Sequence, residues 1–234
     1  MALGLALGVY IYPYWSFTCV VYVCAAFGIG ALLLIPLLHI PFRAPLCPPL
    51  FSLDRFLLPR TLLPGINMLL VSFIFGVIIA HIYNEIFYIC ILIGFAVSLF
   101  ISKYALSHTS CRAEMEFGQA ALVAGILLMA FSNSLMSSYI AALLLGIGIG
   151  ITASRFFVIM ISLPLHCERG TGNNTYQLLW EVGLLGGLFF DNIWIGNYPD
   201  TIYWICLGIC VVSLVLYETV THNWYYKRME EKQL

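Results

Sequence analysis

The chain has 234 residues, of which 62% are hydrophobic and only 9% charged, and its formal net charge is −1. Soluble proteins average about 45–50% apolar and about 25% charged residues, so a water-soluble enzyme, a secreted disulfide scaffold and a disordered tail are excluded. There is no basic excess to attract nucleic acid, and a mean hydropathy of +0.98 directs attention to the bilayer.

The first stretch, Met1–Tyr12, is apolar, but at helical rise it reaches only about 18 Å. Pro13 then breaks it among Tyr10, Tyr12, Tyr14 and Trp15, an arrangement that suits a membrane interface. It has neither the basic start nor the small-residue cleavage site of a signal peptide. The expectation is the back half of a transmembrane helix whose front half is absent. Phe17–Leu38 follows as the first uncharged run of full length, about 20 residues being needed to cross a bilayer.

The segment His39–Arg60 carries Pro41, Pro45, Pro48, Pro49 and Pro59 and is expected to be a linker. Six further runs follow it: Thr61–Ala80, Ile86–Ser102, Phe117–Phe131, Leu135–Leu163, Thr175–Phe190 and Thr201–Leu216. Backbone groups in lipid must be satisfied internally, and the runs lack the alternation of a barrel, so the expected fold class is all-α and polytopic. The organisation is one partial and one full helix over 1–38, a linker over 39–60, a six-helix bundle over 61–219 and a tail over 220–234.

Nine of the ten Lys and Arg fall on one side of this alternating topology: Arg43, Arg55, Arg60, Lys103, Arg112, Arg169, Lys227, Arg228 and Lys232. By the positive-inside tendency those loops and the C-terminus are cytoplasmic.

These segments resemble the back part of a major facilitator superfamily (MFS) transporter. The linker "HIPFRAPLCPPLFSLDRFLLPR" followed by "LLPGINMLLVSFIFGVI" resembles that family's central loop and seventh helix. "GIGIGITASRFF" (Gly146–Phe157) and "HCERGTGNNTYQLLWEVGLLGG" (His166–Gly187) are similar to its tenth helix, cytoplasmic turn and eleventh helix in a bacterial drug- or sugar-porter-like branch. The resemblance implies a bacterial inner-membrane protein for secondary-active transport of a small solute driven by an ion gradient, without cofactor and without enzymatic activity. It also implies that helices one to four are missing, so the chain is expected to be an incomplete transporter. Such a chain would need a separate N-terminal half or a homo-oligomer beside its lipid bilayer. The alternative is a non-transporting membrane fragment or interaction subunit.

Arg155 is the tenth basic residue and lies inside the Leu135–Leu163 run. A charge at that depth costs about 2.5–3.5 kcal/mol on insertion scales, so Arg155 is expected to face protein or water as a candidate for the solute or ion pathway, with a hairpin-locking ion pair or snorkelling to the cytoplasmic headgroups as the alternatives. Counting from either side of the 166–174 turn sets Glu181 at similar depth, and the two are expected to pair. Gln177, Glu181, Leu184, Leu188 and Asp191 fall on one helical stripe flanked by Trp180, which suits a solute or ion pathway. Asp191, near the outer face, is expected at a solvated helix end. Asn67 is a candidate substrate hydrogen-bonder, with helix tying as its alternative role. Glu114 and Glu116 are expected in a solvated loop. Asn173, Asn174 and Thr175 are expected to cap the following helix. Glycines 146, 148, 150, 183, 186 and 187 lie inside spans, where small residues let helices approach. No catalytic motif and no metal-ligating spacing is present, and the adjacent His166, Cys167 and Glu168 cannot chelate one ion.

The topology predicts that Arg112→Cys, in a background stripped of native cysteines, is shielded from an impermeant thiol reagent in intact cells and reacts after lysis. Strong labelling from outside would overturn it.

Overall fold

A computed structural model describes residues 8, 17–37, 56–82, 84–131, 134–165, 168–191, 193 and 201–233, and these fall into two compact units, Met1–Ser52 and Leu53–Leu234. The expected partial helix over Met1–Tyr12 and most of the proline-rich linker lie outside the described residues. In the first unit, helix α1 (Phe17–Leu34) ends in a single 3-10 turn, Ile35–Leu37, which contains Pro36.

The second unit contains α2 (Leu62–His81), α3 (Glu85–Phe100), α4 (Cys111–Phe131), α5 (Leu135–Ser162), α6 (Arg169–Phe190) and α7 (Ile202–Leu216). A π turn, Tyr217–Thr221, joins α7 to the polar helix α8 (His222–Gln233). Helix starts are set by local chemistry. Asn84 caps α3, its Oδ1 accepting from the amides of Ile86 and Phe87 at 3.0 and 3.4 Å. Ser134 caps α5 by accepting from Ser137 N at 3.2 Å. The Tyr88 hydroxyl closes the α2–α3 hairpin on the carbonyls of Ile79 and Ile82, at 2.9 and 2.7 Å.

Among the described residues six segments are long and apolar enough to cross a membrane: Thr18–Leu37, Pro59–His81, Glu85–Ala105, Cys111–Phe131, Leu135–Ser162 and Ile202–Glu231. Seven were expected. Helix α6 is the difference, since it is as long as the others but carries Arg169, Asn173, Asn174, Gln177 and Glu181 between its start and its middle. Two starts also differ from expectation. Helix α4 begins at Cys111 rather than Phe117, so Glu114 and Glu116 are helical and not a loop. Helix α6 begins at Arg169 rather than Thr175, so Asn173, Asn174 and Thr175 sit inside it and cap nothing. Thr175 Oγ1 instead accepts from Leu58 N at 3.0 Å and lies 3.0 Å from Phe56 O, which fastens the segment entering α2 onto α6.

Close backbone contact organises the bundle. A Cβ built on Gly183 would strike Ser72 and the Leu69 carbonyl, and one on Gly187 would strike the backbone from Phe73 to Val77. Position advances in the same sense on both helices, so α2 and α6 are parallel. Gly146 faces the Ile91 carbonyl and the Gly94 Cα, and Gly150 faces Ser98, so α3 and α5 are parallel as well. Gly118 meets Ile151 and Thr152 while Gly125 meets Leu145 and Ala141, so α4 and α5 run antiparallel.

Four helices thus carry a small residue pair one turn apart at their crossing: Ser72 and Gly76, Gly94 and Ser98, Gly146 and Gly150, Gly183 and Gly187. Exchanging α2–α3–α4 for α5–α6–α7 carries the α2–α6 crossing onto the α5–α3 crossing. It also carries the α4–α5 contact onto the α7–α2 contact. Helices α2 and α5 run in opposite directions, so the two triplets are related with inverted sense.

Overpacking such a crossing costs about 1–3 kcal/mol. Gly146→Ala and Gly187→Ala are therefore expected to lower the thermal unfolding temperature of the purified chain. Gly170→Ala, with nothing within 4 Å of its Cβ, is expected to be neutral or slightly stabilising. Equal effects at all three positions would contradict the close-contact account.

Candidate functional site

Because successive helices alternate in direction, every described Lys and Arg of the bundle lies toward one end. That end holds the starts of α2, α4 and α6 and the close of α3, α5 and α7. Two of the ion-pair groups formed there involve α4. Arg155 on α5 pairs with Glu114 in the first turn of α4, whose side chain is only 2% exposed. Beside it, Arg112 Nε donates to Glu116 Oε1 at 3.0 Å, and Arg112 Nη2 lies 2.5 Å from Glu218 Oε2 in the π turn.

The expected Arg155–Glu181 pair does not form. Helix α6 starts six residues earlier than expected, so Glu181 lies about 18 Å from that helix's start while Arg155 lies about 10 Å from the end of α5. Arg155 is also turned toward α4, the neighbour that α5 packs along in antiparallel register. The signal for Glu114 was present as a helical repeat: Glu114, Met115, Gly118, Gln119, Leu122, Gly125, Ile126 and Met129 form the buried face of α4. Reading the span from its first long apolar run concealed it.

The remaining candidates separate into four places. Gln177 and Glu181 are exposed and share a face of α6 with Leu178, Val182, Leu185 and Phe189. The expected stripe through Leu184 and Leu188 is thereby corrected, because Leu184 is buried where α6 meets Gly76 of α2. Trp180 is buried; its ring stacks on Tyr176 with centroids 6.4 Å apart and contacts Phe75. Tyr176 in turn donates its hydroxyl to the Ala153 carbonyl at 3.2 Å and fixes α6 to α5.

Asn67 is fully buried and ties helices together. Its Nδ2 donates to Thr221 Oγ1 at 3.5 Å, and its Oδ1 accepts from Ser213 Oγ at 2.5 Å. Gln119 Nε2 donates to the same Ser213 oxygen at 3.4 Å. This network joins α2, α4 and α7, so the helix-tying role expected as the alternative for Asn67 is the one its hydrogen bonds show. Interhelical hydrogen bonds of this kind are worth about 0.6–2 kcal/mol each in a membrane.

Asp191 sits at the opposite end of the bundle, where its Oδ1 is 3.7 Å from His81 Nδ1, and its side chain is 12% exposed. The expected solvated helix end is therefore a largely buried polar contact between α6 and α2. Tyr203 of α7 meets the His81 ring edge-on, with centroids 5.9 Å apart.

Among the described residues no three His, Cys, Asp or Glu side chains converge as metal ligands. Comparison with protein-family models, with curated proteins and with solved structures finds no match to this chain.

Leaving a buried charge without its partner costs about 3–5 kcal/mol. Arg155→Ala is expected to lower stability by that order, and the Arg155→Ala, Glu114→Ala double variant is expected to recover part of the loss. Glu181→Ala is expected to leave thermal unfolding nearly unchanged. A double variant no more stable than Arg155→Ala alone would show that the pair is not coupled.

Proposed function

We propose that this chain belongs to a secondary-active transporter of small solutes and forms a six-helix half of the MFS kind. The observation that carries the reading is the inverted relation between α2–α4 and α5–α7, expressed in their matched small-residue crossings. Inverted three-helix repeats within each six-helix half are the organisation of MFS transporters, which place solute between two such halves.

The exposed face of α6 supports the same reading. A carboxylate at mid-helix, as at Glu181, is unfavourable against hydrocarbon, so it requires water or a protein partner. A second helical bundle closing over that face would supply both, with a solute path between. In this arrangement Gln177 and Glu181 contact solute or a coupling ion. Arg155–Glu114 holds α4 to α5, and Asn67 holds the rear of the bundle. The basic end and the C-terminus face the cytoplasm of a bacterial inner membrane, and the assembly of the two halves carries out transport without catalysis or cofactor. The second reading, an interaction subunit without transport, rests on the same α6 face serving only for attachment.

The test is uptake into vesicles under a proton or sodium gradient, with a panel of sugars and cationic drugs. The chain is assayed alone and co-expressed with a helical N-terminal half. Saturable, gradient-dependent uptake by the assembly, abolished by Glu181→Gln without loss of assembly, is expected. Assembly without uptake of any panel member would favour the interaction subunit.

A further inference from the structure

Between α4 and α7 a groove of about 570 Å³ opens on the outside of the bundle. Its walls are Ala120, Val123, Ala124 and Leu127 of α4 and Leu214 of α7, and its mouth is formed by Arg112, Glu116 and Glu218. The small side chains at 120 and 124 create the depth. From Glu116 to Leu127 the groove follows α4 for eleven residues, about 16 Å at helical rise. That is the depth of one leaflet of a hydrocarbon core about 30 Å thick.

The mouth has a definite charge pattern. Arg112 and Glu116 are about half exposed, at 54% and 48% of their side chains, and Glu218 is 20% exposed. One cation against two carboxylates leaves one negative charge in excess, and the neighbouring Glu114 is already neutralised by Arg155. Arg112 engages Glu116 through Nε and Glu218 through Nη2, and a guanidinium with five N–H groups has further donors to offer. Both oxygens of Glu218 are buried behind Arg112, and Oε2 is paired with it at 2.5 Å.

We propose that this groove binds a phospholipid whose headgroup carries a primary ammonium, namely phosphatidylethanolamine. One acyl chain lies along Ala120, Val123, Ala124 and Leu127. The phosphate meets Arg112, and the ammonium donates to the half-exposed Glu116, with the buried Glu218 adding its negative charge behind Arg112. A zwitterionic headgroup sets each of its charges against an opposite one, phosphate against Arg112 and ammonium against Glu116, and adds no net charge to the mouth. Phosphatidylglycerol adds a second negative charge, and the quaternary ammonium of phosphatidylcholine has no N–H to donate. The inference requires that α4 and α7 cross a bilayer and does not depend on transport.

The purified full chain is exchanged into detergent with equal amounts of the three phospholipids, each with the same palmitoyl and oleoyl chains, and retained lipid is counted by native mass spectrometry. Wild type is expected to retain phosphatidylethanolamine severalfold over the other two. Glu116→Gln combined with Glu218→Gln is expected to abolish that preference, and Ala124→Phe to reduce total retained lipid. Should Ala124→Phe fold poorly, Ala120→Leu makes the same test nearer the mouth. Retention of all three lipids in equal measure by wild type overturns the proposal, as does undiminished binding by the folded groove-filling variant. Cross-linking of Ala120→Cys between copies would assign the groove to a second copy of the chain and overturn it equally.

Discussion

Backbone-to-backbone approach at four small-residue pairs governs the arrangement of the bundle. Where Gly146 lies against the Ile91 carbonyl and Gly94, or Gly187 against Phe73 and Gly76, there is no room for a side chain. Within lipid, one apolar side chain gains little by meeting another, because hydrocarbon surrounds it in either case. Close van der Waals packing of backbones therefore contributes what the hydrophobic effect contributes in water. These crossings set the rotation of α2, α3, α5 and α6 about their own axes, and that rotation decides which side chains meet.

The polar contacts depend on this setting. With α5 held against α3 at Gly146 and Gly150, and against α4 at Gly148 and Gly118, Arg155 is directed to the start of α4 and meets Glu114. With α6 held against α2, Trp180 and Leu184 turn inward while Gln177 and Glu181 turn out. Asn67, on the α2 face that meets α7, closes a hydrogen-bonded network with Ser213, Thr221 and Gln119. Buried polar groups of this kind are tolerable because each finds a partner; Gln119 Oε1 is the one atom of the four-residue network left without one.

Charge is distributed by the same alternation of helices. The described basic residues gather at one end, where carboxylates on α4 and the π turn meet them, and His81 and Asp191 meet at the other. The π turn at Tyr217–Thr221 brings Glu218 beside Arg112 and Thr221 beside Asn67. A local departure from α-helical pitch thus serves both the charged mouth of the groove between α4 and α7 and the buried network.

Length and hydropathy by themselves established the all-helical class, the position of each apolar run and the side on which basic residues collect. These are local properties, since a run of about 20 apolar residues is recognisable without its neighbours. Only the tertiary structure decided that Arg155 meets Glu114, that Asn67 points inward and that Glu181 points out. A helix in water reveals its buried side by an apolar stripe. Helices such as α2, α3 and α7 are apolar almost all round, so hydropathy does not encode their rotation. The glycine positions do encode it, but each one acquires meaning only opposite the residue it touches on another helix. The polar starts of α4 and α6 escaped notice for a related reason: both helices continue for six residues beyond the apolar run, held by contacts made at Glu114 and Thr175 with other parts of the bundle.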